Sequence, residues 1–260
     1  MTIARKTWFA VALFAMAVSQ SASAQNITDQ YWGATPPGGY TDVVSGAGDT
    51  RFNIDSMDVT RSGTSLTVKI NTNFSGANNG SLNAYFGDLF LSSNWTPDIT
   101  AANYANDDAA SGTKWTYGFA LDGRDTIANH GAVGSITGDS AGTGTLYDLA
   151  SDGILANADN AYLSNTYFSS GYRVGQEVVV KDTSDDVATG TWESKSGYIS
   201  FTFDVGGTAL EYGDIALHWA MTCANDVIEG EVSAPAILLL MAMGLFGVGA
   251  SSKLRKRKLA

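Results

Sequence analysis

The stretch Leu66-Thr-Val-Lys-Ile-Asn-Thr-Asn-Phe74 alternates apolar and polar side chains over most of its length. Successive side chains of a β-strand point to opposite faces, so this pattern predicts a strand with one buried face. The same period of two recurs in residues 115–121, 199–205 and 215–221. Residues 52–59, 85–91, 172–180 and 187–192 are further candidate strands.

Clusters of Gly, Asn, Asp and Ser separate these segments, and such residues supply the backbone conformations of tight turns. Residues 98–112 and 134–170 are weakly patterned, and we expect loops there, with a short helix near residues 146–155. Short strands without long amphipathic helices are typical of an all-β domain. The sequence therefore predicts an antiparallel β-sandwich or jelly roll over residues 25–231.

The N-terminal residues have the pattern of a secretory signal peptide. Arg5 and Lys6 precede an apolar run over residues 8–18, and the small residues Ala22 and Ala24 follow. A short cationic start, a short apolar stretch and an Ala-Ser-Ala exit are the three parts of such a signal. We expect residues 1–24 to form a signal helix that is removed on export, leaving Gln25 as the first residue.

The C-terminal residues have the pattern of a membrane anchor. Residues 234–250 carry no charge and are almost entirely apolar. The length of this segment is close to the roughly 20 residues that a membrane-spanning helix needs. This pattern predicts a single transmembrane helix. A basic cluster follows, which is expected to stop transfer on the cytoplasmic side and leave residues 25–231 outside; it consists of Lys253, Arg255, Lys256, Arg257 and Lys258.

Residues 232–260 combine the short motif Val232-Ser233-Ala234-Pro235 with this apolar helix and basic cluster. That order resembles the PEP-CTERM sorting tail of Gram-negative bacteria, which exosortases process. The family motif is Val-Pro-Glu-Pro, so Val232 and Pro235 match it, while Ser233 and Ala234 replace Pro and Glu. Residues 218–230 are also similar to the segment that precedes the tail in one group of these proteins.

The resemblance implies an exported cell-surface or extracellular-matrix protein that an exosortase-type enzyme processes and that accompanies an exopolysaccharide system. The precursor would be anchored in the inner membrane, and the mature protein would reach the cell surface or the medium. The replaced Glu leaves a variant sorting enzyme and a retained anchor as alternatives.

Charge and cysteine content exclude several classes of function. All 26 acidic residues lie between the two terminal segments, while seven of the 15 basic residues lie within them. The acidic middle would repel nucleic acid and anionic lipid, so we expect no nucleic-acid partner and membrane contact only through the tail. The single cysteine, Cys223, excludes an internal disulfide. It is expected to be a buried thiol, with an intermolecular disulfide as the alternative.

Motifs for catalysis are weak, and the chain is predicted not to be an enzyme. The segment Gly138-Asp-Ser-Ala-Gly142 satisfies Gly-x-Ser-x-Gly but lacks the strand and helix that flank a nucleophile elbow, so it predicts a turn. Four of the five glutamates lie on different predicted elements, which makes an extracellular glycosidase the weakest hypothesis; they are Glu177, Glu193, Glu211 and Glu229.

Two binding hypotheses remain. Loop carboxylates are candidate ligands for a structural calcium ion, which favours clustered oxygen donors; these are Asp107, Asp108, Asp152 and Asp159. No other cofactor is expected. Trp95 and Tyr104 lie in turn-rich sequence and are candidate platforms for a sugar ring. A carbohydrate- or calcium-binding β-sandwich that recognises the exopolysaccharide is therefore the alternative to a non-catalytic envelope protein.

Overall fold

A computed structural model describes residues 22–33, 50–76, 84–122, 139–150, 161–164, 173–181 and 183–234. Several predicted features lie outside these ranges. They are most of the signal segment, Pro235 and the rest of the tail with its basic cluster, and the calcium candidates Asp152 and Asp159. Within them, no helix is long and apolar enough to cross a membrane.

The described ranges contain strands and two short 3-10 turns, at Thr50–Phe52 and Ala102–Tyr104. The strands in chain order are β1 (Ser23–Thr28), β2 (Ile54–Ser62), β3 (Ser65–Thr72), β4 (Leu89–Ser92), β5 (Tyr117–Leu121), β6 (Ser140–Asp148), β7 (Ala161–Leu163), β8 (Glu177–Val180), β9 (Asp186–Lys195), β10 (Tyr198–Asp204), β11 (Ile215–Ala220) and β12 (Val227–Val232).

Ten of the described strands form one antiparallel sheet in the order β1-β2-β3-β10-β9-β6-β5-β4-β11-β12. The first and last strands of this order approach each other, so the sheet is curled until it is nearly closed. β7 and β8 form a separate antiparallel pair, and β8 packs against β5 and β11. An antiparallel all-β fold was predicted and is confirmed, whereas two stacked sheets of a sandwich or jelly roll are not confirmed.

Each of the eight predicted strand segments overlaps a strand, and four described strands were not predicted: β1, β6, β7 and β12. The expected turn at Gly138–Gly142 was wrong from Ser140 onwards, because Ser140 begins β6 and pairs with Ser194 of β9. The helix expected near residue 146 was also wrong at its start, because Leu146 and Asp148 belong to the same strand.

The inner face of the curled sheet encloses the main hydrophobic core, to which β2, β3, β10, β5, β4 and β11 all contribute. Phe119 of β5 stacks on Phe203 of β10 with ring centroids 4.7 Å apart, and it meets Phe201 edge-on at 5.9 Å. Two strands separate β5 from β10 in the sheet order, so these contacts cross the interior rather than follow the sheet.

β11 is buried on both of its faces. Leu217 and Trp219 enter the main core, while Ala216 and Ala220 lie under an outer layer that includes β7 and β8. The buried carboxylate of Asp88 joins this layer to the sheet, because Oδ1 accepts from the N–H of Leu121 (3.0 Å) and Oδ2 from the N–H of Val180 (2.8 Å).

Glycines in β6 and β9 make room for the ring of Phe119. Gly144 pairs directly with Gly190 across the two strands. A Cβ atom at Gly144 would lie 2.5 Å from Phe119 Cε1, and one at Gly190 would lie 2.7 Å from Phe119 Cε2. Real Cβ contacts do not reach such distances, so the aromatic ring fills the space that two side chains would need.

Gly144→Val is therefore expected to destabilise the fold by about 1–3 kcal/mol, the usual cost of overpacking a filled core. The measurement is denaturant unfolding of the purified protein. Gly213→Ala is the matched control, because a Cβ there would meet only Ala209 O at 3.7 Å. Equal midpoints for the two variants would contradict this account of β6.

Candidate functional site

Buried polar residues gather beneath the outer layer, around His218 on the outer face of β11. We call His218, Glu229, Glu177, Asp107 and Tyr31 the His218 cluster. The register of the β11–β12 pair places His218 directly opposite Glu229. His218 Nδ1 lies 3.1 Å from Glu229 Oε2, and Nε2 lies 2.8 Å from the main-chain oxygen of Glu177.

Both ring nitrogens of His218 therefore face oxygen acceptors. Burial alone lowers the pKa of the imidazole, but the hydrogen bond and charge of Glu229, with help from Glu177, outweigh it and raise the pKa above its ordinary value. Since the protonated ring donates from both nitrogens, it satisfies both contacts at once.

Glu229 is held by the outer layer as well as by His218. Its Oε1 accepts from the indole N–H of Trp95 at 2.6 Å and from the hydroxyl of Thr113 at 3.2 Å. Three donors thus converge on one carboxylate of which only 6% is exposed. Hydrogen bonds of this kind are what a buried carboxylate needs to remain charged away from water.

The carboxyl groups of Glu177 and Asp107 are less completely hydrogen-bonded than that of Glu229. Glu177 Oε1 and Asp107 Oδ1 are buried and have no hydrogen-bond partner among the residues that the structure describes. Burial raises the pKa of Glu177 to about 7, although His218 opposes the rise. Burial and the charge of Glu229 raise the pKa of Asp107 to about 6, against the hydrogen bond that Tyr31 donates. Both carboxyl groups therefore hold protons at pH values where ordinary carboxyls have lost them.

Arg173 provides a buried cation at the edge of the same layer. Its guanidinium donates to the main-chain oxygens of Trp32 and Asn225. It thereby joins the segment after β1 to the turn between β11 and β12. Cys223 lies in that turn and is buried as predicted, and burial raises the pKa of its thiol to about 12.

The structure brings together the two aromatic residues proposed as a sugar platform. Trp95 and Tyr104 have ring centroids 6.1 Å apart, and Tyr104 stacks on Tyr31 at 5.0 Å. Both are only partly exposed, and the Trp95 N–H is already engaged by Glu229. Tyr104 also adopts the left-handed backbone region, with φ of 56°, which is costly for a bulky residue.

The two calcium candidates within the described ranges, Asp107 and Asp108, have carboxyl groups that bond to different parts of the protein. Asp107 faces Tyr31, whereas Asp108 Oδ1 accepts from the N–H groups of Ala110 (2.8 Å) and Ser111 (3.1 Å) and so caps a local turn. Among residues that the structure describes, no three His, Cys, Asp or Glu side chains are placed to hold a metal ion.

The predicted processing residues lie at the junction where the nearly closed sheet brings β1 beside β12. Ala22 and Ala24 are exposed, with Ser23 between them turned partly inward. At the end of β12, Val232 is buried, while Ser233 bonds to the side chain of Gln25. The strand order makes β1 and β12 antiparallel, so the start of β1 lies beside the end of β12.

Sequence analysis did not identify the His218 cluster. Glu177 and Glu229 were expected on separate elements, yet both contact His218. One signal was available: a hairpin with its turn at residues 221–226 places residues 218 and 229 opposite each other. The contacts to Trp95 and Glu177 join residues that are distant in sequence and left no local signal.

The chain matches no family model, no curated protein and no solved structure.

The cluster is expected to make stability depend on pH. Because the pKa of Glu177 is about 7 in the folded protein and about 4.3 in an unfolded chain, the folded state binds more protons over this range. The free energy of unfolding should then fall as pH rises between these values, by about 3 kcal/mol at most for this group. The raised pKa of Asp107 acts in the same direction up to about pH 6.

Glu177→Gln should flatten this part of the pH profile, measured by denaturant unfolding at a series of pH values. Glu231→Gln is the matched control, because Glu231 is an exposed residue of the neighbouring strand β12. A wild-type profile with no slope between these pH values would show that the burial of Glu177 does not perturb its titration.

Proposed function

We propose that this chain is an exported, non-catalytic cell-envelope or extracellular-matrix protein, processed at a C-terminal exosortase-type sorting signal. The observation that carries the proposal is the meeting of the two predicted processing segments at one place. The side chain of Gln25 bonds both main-chain groups of Ser233, at 2.7 and 3.0 Å. In the precursor, the signal segment, residues 1–24, and a transmembrane helix over residues 234–250 would leave the domain side by side.

This arrangement suits a domain held at a membrane surface. Two membrane-inserted segments that leave one end of a sheet orient that end towards the bilayer and the other end away from it. Ala22 and Ala24 are exposed at the start of β1, and small residues at these two positions are what a signal-peptide cleavage site has. The ectodomain within this proposal is a flattened β-sandwich whose halves meet through Phe119 and Phe203.

The His218 cluster supports a structural role rather than catalysis. His218 has no exposed surface and Glu229 has 6%, and each is bonded to other protein groups. A general acid or base must reach a substrate within hydrogen-bond distance, and here the outer layer covers both. The cluster instead fastens that layer to the outer face of β11.

The test is the intact mass of the mature protein from its own host, with and without the candidate sorting enzyme. We expect a chain that begins at Gln25 and ends within residues 233–235 only when the enzyme is present. A mass that retains residues 253–260 in both strains would identify the tail as a retained anchor and would overturn the sorting proposal.

The grouping of Tyr31, Tyr104 and Trp95 favours carbohydrate binding as a second candidate function. Tyr104→Ala should then weaken saturable binding of the host exopolysaccharide by the purified protein, by about 0.5–1.5 kcal/mol for one stacked ring. Tyr212→Ala is the control, because Tyr212 is a 67% exposed tyrosine outside this group. Equal affinities for both variants and the wild type would argue against the platform.

A further inference from the structure

The junction of β1 and β12 is closed by side chains instead of a strand ladder. These strands are the two ends of the sheet order, and no ladder is formed between them. Gln25 Nε2 donates to Ser233 O at 2.7 Å, and Gln25 Oε1 accepts from Ser233 N–H at 3.0 Å. A side-chain amide thus makes the two bonds that a neighbouring strand would otherwise make.

Three consecutive residues of the predicted sorting motif are held at this junction. Val232 has 5% of its surface exposed and belongs to the main core. Ser233 has both of its main-chain groups bonded to Gln25. The N–H of Ala234 donates to Asp214 Oδ1 at 2.7 Å. Both main-chain groups of Ser233 and the N–H of Ala234, through which another protein would bind an extended segment, are therefore already occupied.

We propose that Gln25 is a positioning residue that controls access to the C-terminal processing motif: the motif can be bound by a processing enzyme only while the Gln25–Ser233 contact is open. This inference rests on the proposed function. Gln25 is also the expected first residue after signal-peptide removal, so the two processing sites are physically joined. The main-chain groups of Ser233 are free before β1 packs beside β12 and are occupied once the contact forms.

The structure makes opening of this contact a local event. A small surface depression lies at the junction, lined by residues that include Gln25, Arg61 and Val232. Farther along, Ile27 packs over Gly230, where a Cβ atom would lie 2.8 Å from Ile27 Cγ2. The ladder between β1 and β2 keeps four residue pairs from Gln25 onwards. Release of Ser233 therefore leaves β1 attached through its other contacts.

The experiment is amide hydrogen exchange of the full chain, followed at Ser233 and at Phe201 of the central strand β10. Loss of two hydrogen bonds in Gln25→Ala should speed exchange at Ser233 on the order of tenfold, with exchange at Phe201 unchanged. Cleavage within residues 232–235 by an added protease that cuts after small residues should accelerate by a similar factor.

Asn26→Ala is the matched control. Asn26 is the next residue of β1, and its side chain bonds Asp58 at 2.7 Å, away from Ser233. This variant should leave exchange at Ser233 and the cleavage rate at wild-type values. The proposal is overturned if Gln25→Ala behaves like Asn26→Ala, or if Ser233 and Phe201 accelerate together, which would indicate general destabilisation.

These measurements need no sorting enzyme, so they separate the two proposals. Faster exchange at Ser233 in Gln25→Ala, together with an uncut tail in the host, would uphold the protection of Ser233 by Gln25 and remove the sorting function. A tail cut in the host, together with unchanged exchange at Ser233 in Gln25→Ala, would uphold sorting and remove the role of Gln25.

Discussion

The burial of both faces of β11 is the constraint from which the outer half of the molecule follows. One face carries Leu217 and Trp219 into the main core, so the opposite face must place His218 beneath the outer layer. A buried imidazole needs partners for both of its nitrogens. Glu229 supplies one and the main chain of Glu177 supplies the other. Because these partners lie on β12 and β8, the two hydrogen bonds of His218 fix the positions of both strands.

The residues that bond His218 need hydrogen-bond partners of their own, and these come from segments farther from β11. A buried carboxylate at Glu229 needs donors of its own, and Trp95 and Thr113 provide them from the long segment between β4 and β5. Asp107 of the same segment accepts from Tyr31, which ties down the residues after β1. Buried polar groups of this type contribute little net stability compared with apolar packing. We expect their effect to be the selection of one arrangement of the outer layer, because other arrangements would separate His218 from Glu229.

The alternation of apolar and polar residues predicted the strands that show it, such as β3, β10 and β11. It failed for strands that form because of contacts with residues distant in sequence. Gly142 and Gly144 resemble turn residues, yet they lie in β6 because Trp192 and Phe119 occupy the space beside them. β1 begins inside the predicted signal-cleavage site and was therefore not considered as a strand. The candidate aromatics were recognised from their setting, whereas their contacts with Glu229 and Tyr31 depend on long-range folding.

The separation of β1 and β12 in the chain bears on when their junction can form. Gln25 and Ser233 are 208 residues apart, so their contact closes a longer loop than any ladder between chain neighbours, and loop closure costs entropy. The contact recovers only two hydrogen bonds, which is too little to form before the intervening sheet has brought the strands together. A closed junction therefore requires that β2 to β11 have already folded. Protection of the end of β12 is then a property of the completed domain, and an unfinished or misfolded chain keeps that end exposed.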